Sequence, residues 1–215
     1  MMRPMQPDGN TRERIVGEIA GAAAAAAAAG RRCAIALSPS VLDAEVLAAL
    51  APQAGSWHAV HVFLADTRFD AGGRDPADVQ AMLRALPVPR AQLHVDVADH
   101  ADPARAAAAY EQELRAFFGL VVGALPRFDA VVLRMAPCGN LPGLAGGSDA
   151  LDETSRLATV NRAPGGARFV TLTPPVIRHA ARVLVAACPE SAARRPSQGV
   201  DGGLIAAANT TLIVH

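Results

Sequence analysis

The sequence predicts an α/β protein: one doubly wound, mainly parallel sheet with helices on both faces, folded as a single domain over residues 1–215. Three observations carry this. Short continuous apolar runs at 33–37, 58–64, 128–133 and 183–187 lack polar alternation, which is how strands covered on both faces read. These runs alternate with segments of helical composition, so parallel strands joined by right-handed crossovers are the simplest arrangement. Hydrophobic residues make up 51% of the chain but aromatic residues only 4%, so the core is built from Ala, Val and Leu, as in helix-covered sheets.

Residues 11–29 favour helix throughout, with Ile15, Ile19 and the alanines on one side and Gly30 as the stop; residues 1–10 are polar and read as a flexible terminus. After the strand 33–37, Ser38-Pro39-Ser40 makes a turn into a helix at 41–50, with Asp43 and Glu45 in its first turn. A second unit follows: strand 58–64, a polar glycine-containing loop 65–75, and a helix 76–86 opened by Pro76. Residues 93–97 read as a strand, and 103–118 as a helix with Tyr110, Leu114, Phe117 and Phe118 on its apolar side. The run 128–133 leads into a long Gly/Pro loop ending near Gly147. Residues 149–166 read as a polar stretch, followed by strand 168–172, helix 174–181, strand 183–187 and a last strand at 212–214. The loops after Leu37, Leu64 and Met135 then share one sheet edge, the edge at which open α/β sheets bind ligands.

Composition narrows the function. Twenty basic and twenty acidic residues balance, so the basic stripe of a nucleic-acid binder is missing and no nucleic-acid partner is expected. Every basic residue is arginine. With no lysine there is no Schiff-base amine and no Walker-type phosphate lysine, which leaves arginine as the strong cation for an anionic ligand. Cys33, Cys138 and Cys188 are scattered without CxxC spacing, which suggests neither a disulfide framework nor a structural zinc site. The N-terminal stretch lacks the apolar core of a signal peptide, and the alanine run 22–29 is too short to span a bilayer. A cytoplasmic protein without membrane attachment, metal or cofactor is expected.

The loops, taken in order, resemble the 6-phosphogluconolactonase family, which shares its fold with the glucosamine-6-phosphate deaminases. Ala36-Leu37-Ser38 matches the approach to the family's Ser-Gly-Gly-Ser-Thr-Pro phosphate loop, with Pro39-Ser40 where the glycines stand. Asp66-Thr67-Arg68 takes the place of the family's Asp-Glu-Arg. The signature Gly-Met-Gly-x-Asp-Gly-His-Thr-Ala-Ser-Leu-Phe-Pro-Gly appears as the run from Arg134 to Gly147. Met135, Gly139 and Leu144 stay; the aspartate becomes Cys138 and the histidine Asn140. Downstream, Ala150-Leu151-Asp152-Glu153 and Val170-Thr171-Leu172-Thr173 with Pro175 resemble family segments, and Thr210 to Val214 resembles the last strand. Pro189-Glu190-Ser191-Ala192 occupies the family's Gly-x-x-Lys turn.

The resemblance implies hydrolysis of 6-phosphogluconolactone to 6-phosphogluconate in the pentose phosphate route, weak or altered here because the implied general base is gone. Losing a positioned base typically costs about 10² to 10⁴ in rate. Asn140 can orient substrate but cannot accept a proton as a base. Asp66 is the carboxylate candidate to replace it. Phosphate or another anion would be held by the Ser38 and Ser40 hydroxyls, Arg68, Gly139 and N–H groups at the start of the helix at 41; the alternative is an N-capped helix with no ligand. Arg134 either binds an anion or fills the pocket in an ion pair with Asp66. Cys138 is either a nucleophile with an unassigned histidine partner among His58, His61, His94, His100, His179 and His215, or a small replacement for aspartate. Beside the lactonase stands a second reading, an inactive homologue acting as a sugar-phosphate-binding or protein-interaction module. A deaminase or isomerase acting on an amino sugar phosphate is disfavoured by the same two replacements.

Overall fold

Apolar runs that can be covered on both faces pair with one another first. The computed structural model describes residues 9–51, 57–69, 81–95, 102–141, 143–145, 147–162, 166–193 and 207–214. Its strands are β1 (Cys33–Leu37), β2 (Val60–Leu64), β3 (Asp66–Arg68), β4 (Leu93–His94), β5 (Ala130–Arg134), β6 (Ala158–Arg162), β7 (Arg168–Leu172), β8 (Val183–Ala187) and β9 (Thr210–Val214). Six of them form one sheet in the order β4-β2-β1-β5-β8-β9, and every pairing within it is parallel. All five residues of β1 and of β8 are buried, so both faces of the sheet are covered, the doubly wound α/β arrangement that the apolar runs predict.

The strand order fixes where a ligand crevice lies. From β1 the chain winds outward through β2 to β4, then crosses back to β5 and winds the other way to β8 and β9. The reversal falls between β1 and β5, and doubly wound sheets bind ligands outside the strand ends at such a point. Register places Leu37 beside both Leu64 and Val132, so the segments after Leu37, Leu64 and Arg134 leave the sheet at one edge, as expected.

Helix α1 (Gly9–Ala28) buries Ile15, Ile19, Ala23 and Ala26, a stripe at steps of three and four residues. Gly30, at φ 63, ends it in the left-handed region, where glycine carries no Cβ penalty. The helix expected over 41–50 divides into a 3₁₀ turn at Pro39–Val41 and α2 (Ala44–Leu50). The reason is Asp43, which is the cap rather than part of the first turn: its carboxylate accepts from the N–H groups of Glu45 and Val46. Helix α3 (Pro103–Phe118) has the predicted bounds, with Asp102 as cap, Pro103 at its start and Gly119 at φ 63 after its end. Phe117 and Phe118 join Phe63 and Phe128 in one aromatic cluster. Helix α4 (Pro174–His179) stops two residues early because Ala180 is extended, at ψ 153, and α5 (Pro189–Ala193) forms where a turn is expected.

The larger departure is a second sheet, antiparallel, in the order β3-β7-β6. Residues 66–68 lie in a strand and not in a loop, 158–162 are a strand within the stretch read as polar, and 168–172 belong here and not in the parallel sheet. Ala65 is the junction: its N–H donates to the Leu37 carbonyl and its carbonyl accepts from the Leu172 N–H. This short sheet packs along α3. Expectations for residues 1–8, 70–80 and 96–97, and for His100 and His215, lie outside the described residues. Among the described residues no helix is long and apolar enough to cross a membrane.

Candidate active site

Side-chain alternation sorts the second sheet into two faces. Asp66 and Arg68 on β3, Phe169 and Thr171 on β7, and Thr159 and Asn161 on β6 share one face by register, with Asp66 opposite Thr171. The signature loop lies over this face. A Cβ added at Gly143 would sit 2.8 Å from Thr171 Cβ and 3.3 Å from Asp66 Cβ, and Gly143 itself has φ +75. Only glycine meets both conditions without strain. Asn161, nine-tenths and more buried at 3% exposure, clamps the loop from below by donating from Nδ2 to the Gly143 carbonyl at 2.8 Å. Asn161 was not among the sequence candidates; an asparagine inside a polar stretch carries no signal of burial.

Asp66 and Ser38 meet at the junction of the two sheets. Ser38, fully buried, ends β1 with its N–H on the Val132 carbonyl at 2.9 Å, and its hydroxyl donates to Asp66 Oδ1. Burial pushes the Asp66 carboxyl up to about 7, with the Ser38 hydroxyl opposing that rise. A desolvated carboxylate loses water's stabilisation of its charge, and one hydrogen bond restores only part of it. Among the described residues Ser38 is the hydrogen-bond partner of this carboxylate, and no arginine pairs with it. The expected alternative of an Arg134–Asp66 ion pair is therefore corrected: Arg134 leaves the end of β5 toward the first turn, where Nη1 donates to the Ser40 carbonyl at 3.2 Å.

The anion-binding set takes a different shape from that expected. Of the N–H groups beyond β1, Val41 donates to the Ser38 carbonyl, Leu42 to the Pro39 carbonyl, and Glu45 and Val46 to Asp43. Four of the N–H groups around the helix start on which phosphate capture was expected to draw are thus taken by the chain's own acceptors. The Ser40 hydroxyl oxygen is buried and has no hydrogen-bond partner among the described residues. Arg68 is half-buried, two residues beyond Asp66 on the same face.

In the signature loop, Ala136 N–H donates to the Asn140 carbonyl and Gly139 N–H to the Ala136 carbonyl, each at 2.8 Å. This tight turn needs Gly139 at φ 90, buries that glycine, leaves Asn140 half-buried and exposes Cys138. Among the described residues no histidine is hydrogen-bonded to Cys138. His61 and His94 instead bond each other at 2.9 Å, and His94 bonds Glu113 at 2.6 Å; His179 bonds the Pro126 carbonyl at 3.1 Å. No group of three or more His, Cys, Asp or Glu side chains among the described residues is arranged to hold a metal ion.

Chemically, the corner holds one buried carboxyl raised to about 7, with the signature loop seated over it at Gly143. The family model for glucosamine-6-phosphate isomerases/6-phosphogluconolactonase matches residues 9–200. The chain is 33% identical over 154 residues to a 6-phosphogluconolactonase of Synechocystis sp., covering 70% of this chain and 64% of that protein. A Nostoc sp. 6-phosphogluconolactonase is 31% identical over 157 residues, covering 71% and 65%. The matched part of the chain thus spans about two thirds of the length of these curated relatives. The solved structure of 6-phosphogluconolactonase from Trypanosoma brucei superposes with a TM-score of 0.75 at 20% identity, covering 97% of this chain and 93% of that one, a likeness of fold. With a family model spanning nearly the whole chain, two relatives above 30% identity and the signature loop seated over the switch-point crevice, this chain belongs to the glucosamine-6-phosphate isomerase/6-phosphogluconolactonase family.

Proposed function

We propose that the protein is a slow lactone hydrolase that opens 6-phosphogluconolactone to 6-phosphogluconate, a step of the pentose phosphate route in the cytoplasm, with Asp66 as the proton acceptor. One observation carries the reading: a buried carboxyl raised to about 7 at the crevice where the sheet reverses its winding. A general base works best with a pKa near the working pH, and this one is half ionised at neutrality. The ionised Asp66 takes a proton from water as the water oxygen adds to the lactone carbonyl. The tetrahedral intermediate expels the ring oxygen, which recovers that proton from Asp66. Asn140 orients the lactone through its amide, while Ser38 holds the carboxylate in place.

The replacement of the signature histidine by Asn140 favours a second reading, an inactive homologue that binds a sugar phosphate or a protein partner. A lactone-opening assay, corrected for spontaneous hydrolysis, separates the two. The lactonase reading expects turnover roughly 10² to 10⁴ below that of a histidine-bearing enzyme, rising with pH through about 7 and lost in Asp66→Asn. It expects Asn140→His to raise the rate. Turnover equal in Asp66→Asn and the native chain would remove Asp66 from the chemistry. No turnover, together with thermal stabilisation by 6-phosphogluconate, would establish the binding module instead.

A further inference from the structure

Three titratable side chains from three elements form one hydrogen-bonded chain at the β4 edge of the parallel sheet. His61 of β2 and His94 of β4 meet Nδ1 to Nε2 at 2.9 Å, and His94 Nδ1 meets Glu113 Oε1 of α3 at 2.6 Å. The His94 ring stacks on Phe63 with centroids 4.1 Å apart and stands edge-on to Phe117, which leaves the chain half-buried between strand and helix. An ionised carboxylate only accepts, so His94 Nδ1 carries a proton. Neutral His94 then has a bare Nε2, and the proton between the two rings belongs to His61 Nδ1. One added proton is accommodated. Placed on His61 Nε2 it leaves the bond untouched; placed on His94 Nε2 it stays bonded once His61 moves its own proton to Nε2. A second added proton is not accommodated, because both facing nitrogens would then be N–H groups and both rings cations.

We propose that Glu113, His94 and His61 form a proton-operated latch that holds the edge strand β4 to β2 and α3 and opens when both histidines are protonated. The backbone holds this strand lightly. Strand β4 ends the sheet, has two residues and pairs with β2 as Val62↔Leu93 and Phe63↔His94, so the side-chain link is a large part of its attachment and local opening there is the low-cost motion. Arg32, ahead of β1, lies 4.4 Å over the Phe117 ring and donates to the Phe117 carbonyl at 3.3 Å, which sets a fixed positive charge beside the pair. On α3, Glu111 and Arg115 pair with each other and Arg105 is exposed. Arg90, in the turn before β4, and His58, in the turn before β2, are also exposed. Glu113 is thus the anion that faces the pair among the described residues. Burial, then His94 and Arg32, lower His61 from 6.5 to about 4. The closed latch binds less proton than the open one across that range, so it is favoured above pH 6.5 and lost as pH falls toward 4. Its opening constant rises by up to about tenfold per pH unit, or about 300-fold over the whole window. The latch is separate from the Ser38–Asp66 corner and does not depend on lactone chemistry.

The test is amide hydrogen exchange on the full chain between pH 7 and pH 4, read as protection factors corrected for the intrinsic exchange rate at each pH. Asp66 shifts global stability in the opposite sense over the same range, so the readout is β4 relative to β8. Protection of β4 is expected to fall by up to about 300-fold on acidification while that of β8 does not follow. His61→Asn offers an amide N–H to His94 Nε2 but takes up no proton, and it should abolish the fall. Glu113→Gln removes the facing anion and should start the fall at a higher pH. Imidazole nitrogen NMR of the native chain is a second readout that needs no variant: at pH 8 both histidines should carry their proton on Nδ1. Equal changes in β4 and β8, a fall that persists in His61→Asn, a proton on Nε2 of His94 at pH 8, or two charged rings at pH 4 with β4 still protected each overturn the proposal.

Discussion

Replacing Asp66 by Asn isolates the free-energy cost of keeping a carboxylate inside this fold. The group rises from an ordinary value of 3.8 to about 7, and at 1.36 kcal/mol per pH unit the ionised form is disfavoured in the folded state by about 4 kcal/mol. The sign follows from linkage. Between pH 4 and 7 the folded chain keeps a proton on Asp66 that the unfolded chain has released, so this group's contribution falls as pH rises through that window and is flat above it. His61 works in the opposite sense. Burial, then His94 and Arg32, lower it from 6.5 to about 4, so its contribution is lost as pH falls through that range. The two limbs overlap in the native chain and partly conceal one another, but His61 is common to both proteins and cancels in their difference. Urea denaturation of the native chain and Asp66→Asn at pH 5 and pH 8 should show the variant ahead by about 1.7 kcal/mol at the lower pH, where the unfolded chain has already released the proton. At the higher, the variant gains up to about 4 kcal/mol, its amide oxygen still accepting from Ser38. A difference that does not change between the two pH values would refute the desolvated-carboxylate account, and with it the reason for naming Asp66 as a base. A more stable but inactive variant would show stability given up for chemistry at this position.

Gly143→Ala combines a left-handed backbone with a Cβ 2.8 Å from Thr171 Cβ and should cost about 2–4 kcal/mol by denaturation; Thr171→Ala in that background should recover the steric share but not the backbone share. Thiol labelling of the native protein should modify Cys138 rapidly and the other two slowly, because Cys33 and Cys188 are buried and burial is the main cause pushing the Cys33 thiol up to about 12. Three fast thiols would contradict that burial. Asp43→Ala removes the acceptor of two N–H groups at the start of α2 and should lower stability by about 1 kcal/mol, with Asp43→Asn close to the native chain.

What the sequence made legible follows from where apolarity alone decides the structure. The parallel sheet was readable because β1, β5 and β8 are buried on both faces and so look apolar without interruption, and α3 because Asp102, Pro103 and Gly119 mark its ends chemically. Asp66 and Ser38 were each readable as loop positions in a family resemblance. Their hydrogen bond was not, since the partners stand 28 residues apart and meet only because Ala65 joins the two sheets.

The second sheet was invisible for a different physical reason. Strand β3 is Asp-Thr-Arg, three polar residues with no period to detect. Strand β6, Ala-Thr-Val-Asn-Arg, has the alternation of a half-solvated strand, with Thr159 and Asn161 on its apparent water face. That inference fails where a loop replaces the water. Here α3 covers one face of the sheet and the signature loop the other, so Asn161 is buried at 3% exposure and its amide meets the Gly143 carbonyl instead of solvent. A buried amide must be paired to be tolerated, and pairing it to the loop fixes the loop over Asp66. The residues that position this site are therefore the ones that polarity patterns assign to the surface, and finding them requires knowing what lies above each strand as well as which strands exist.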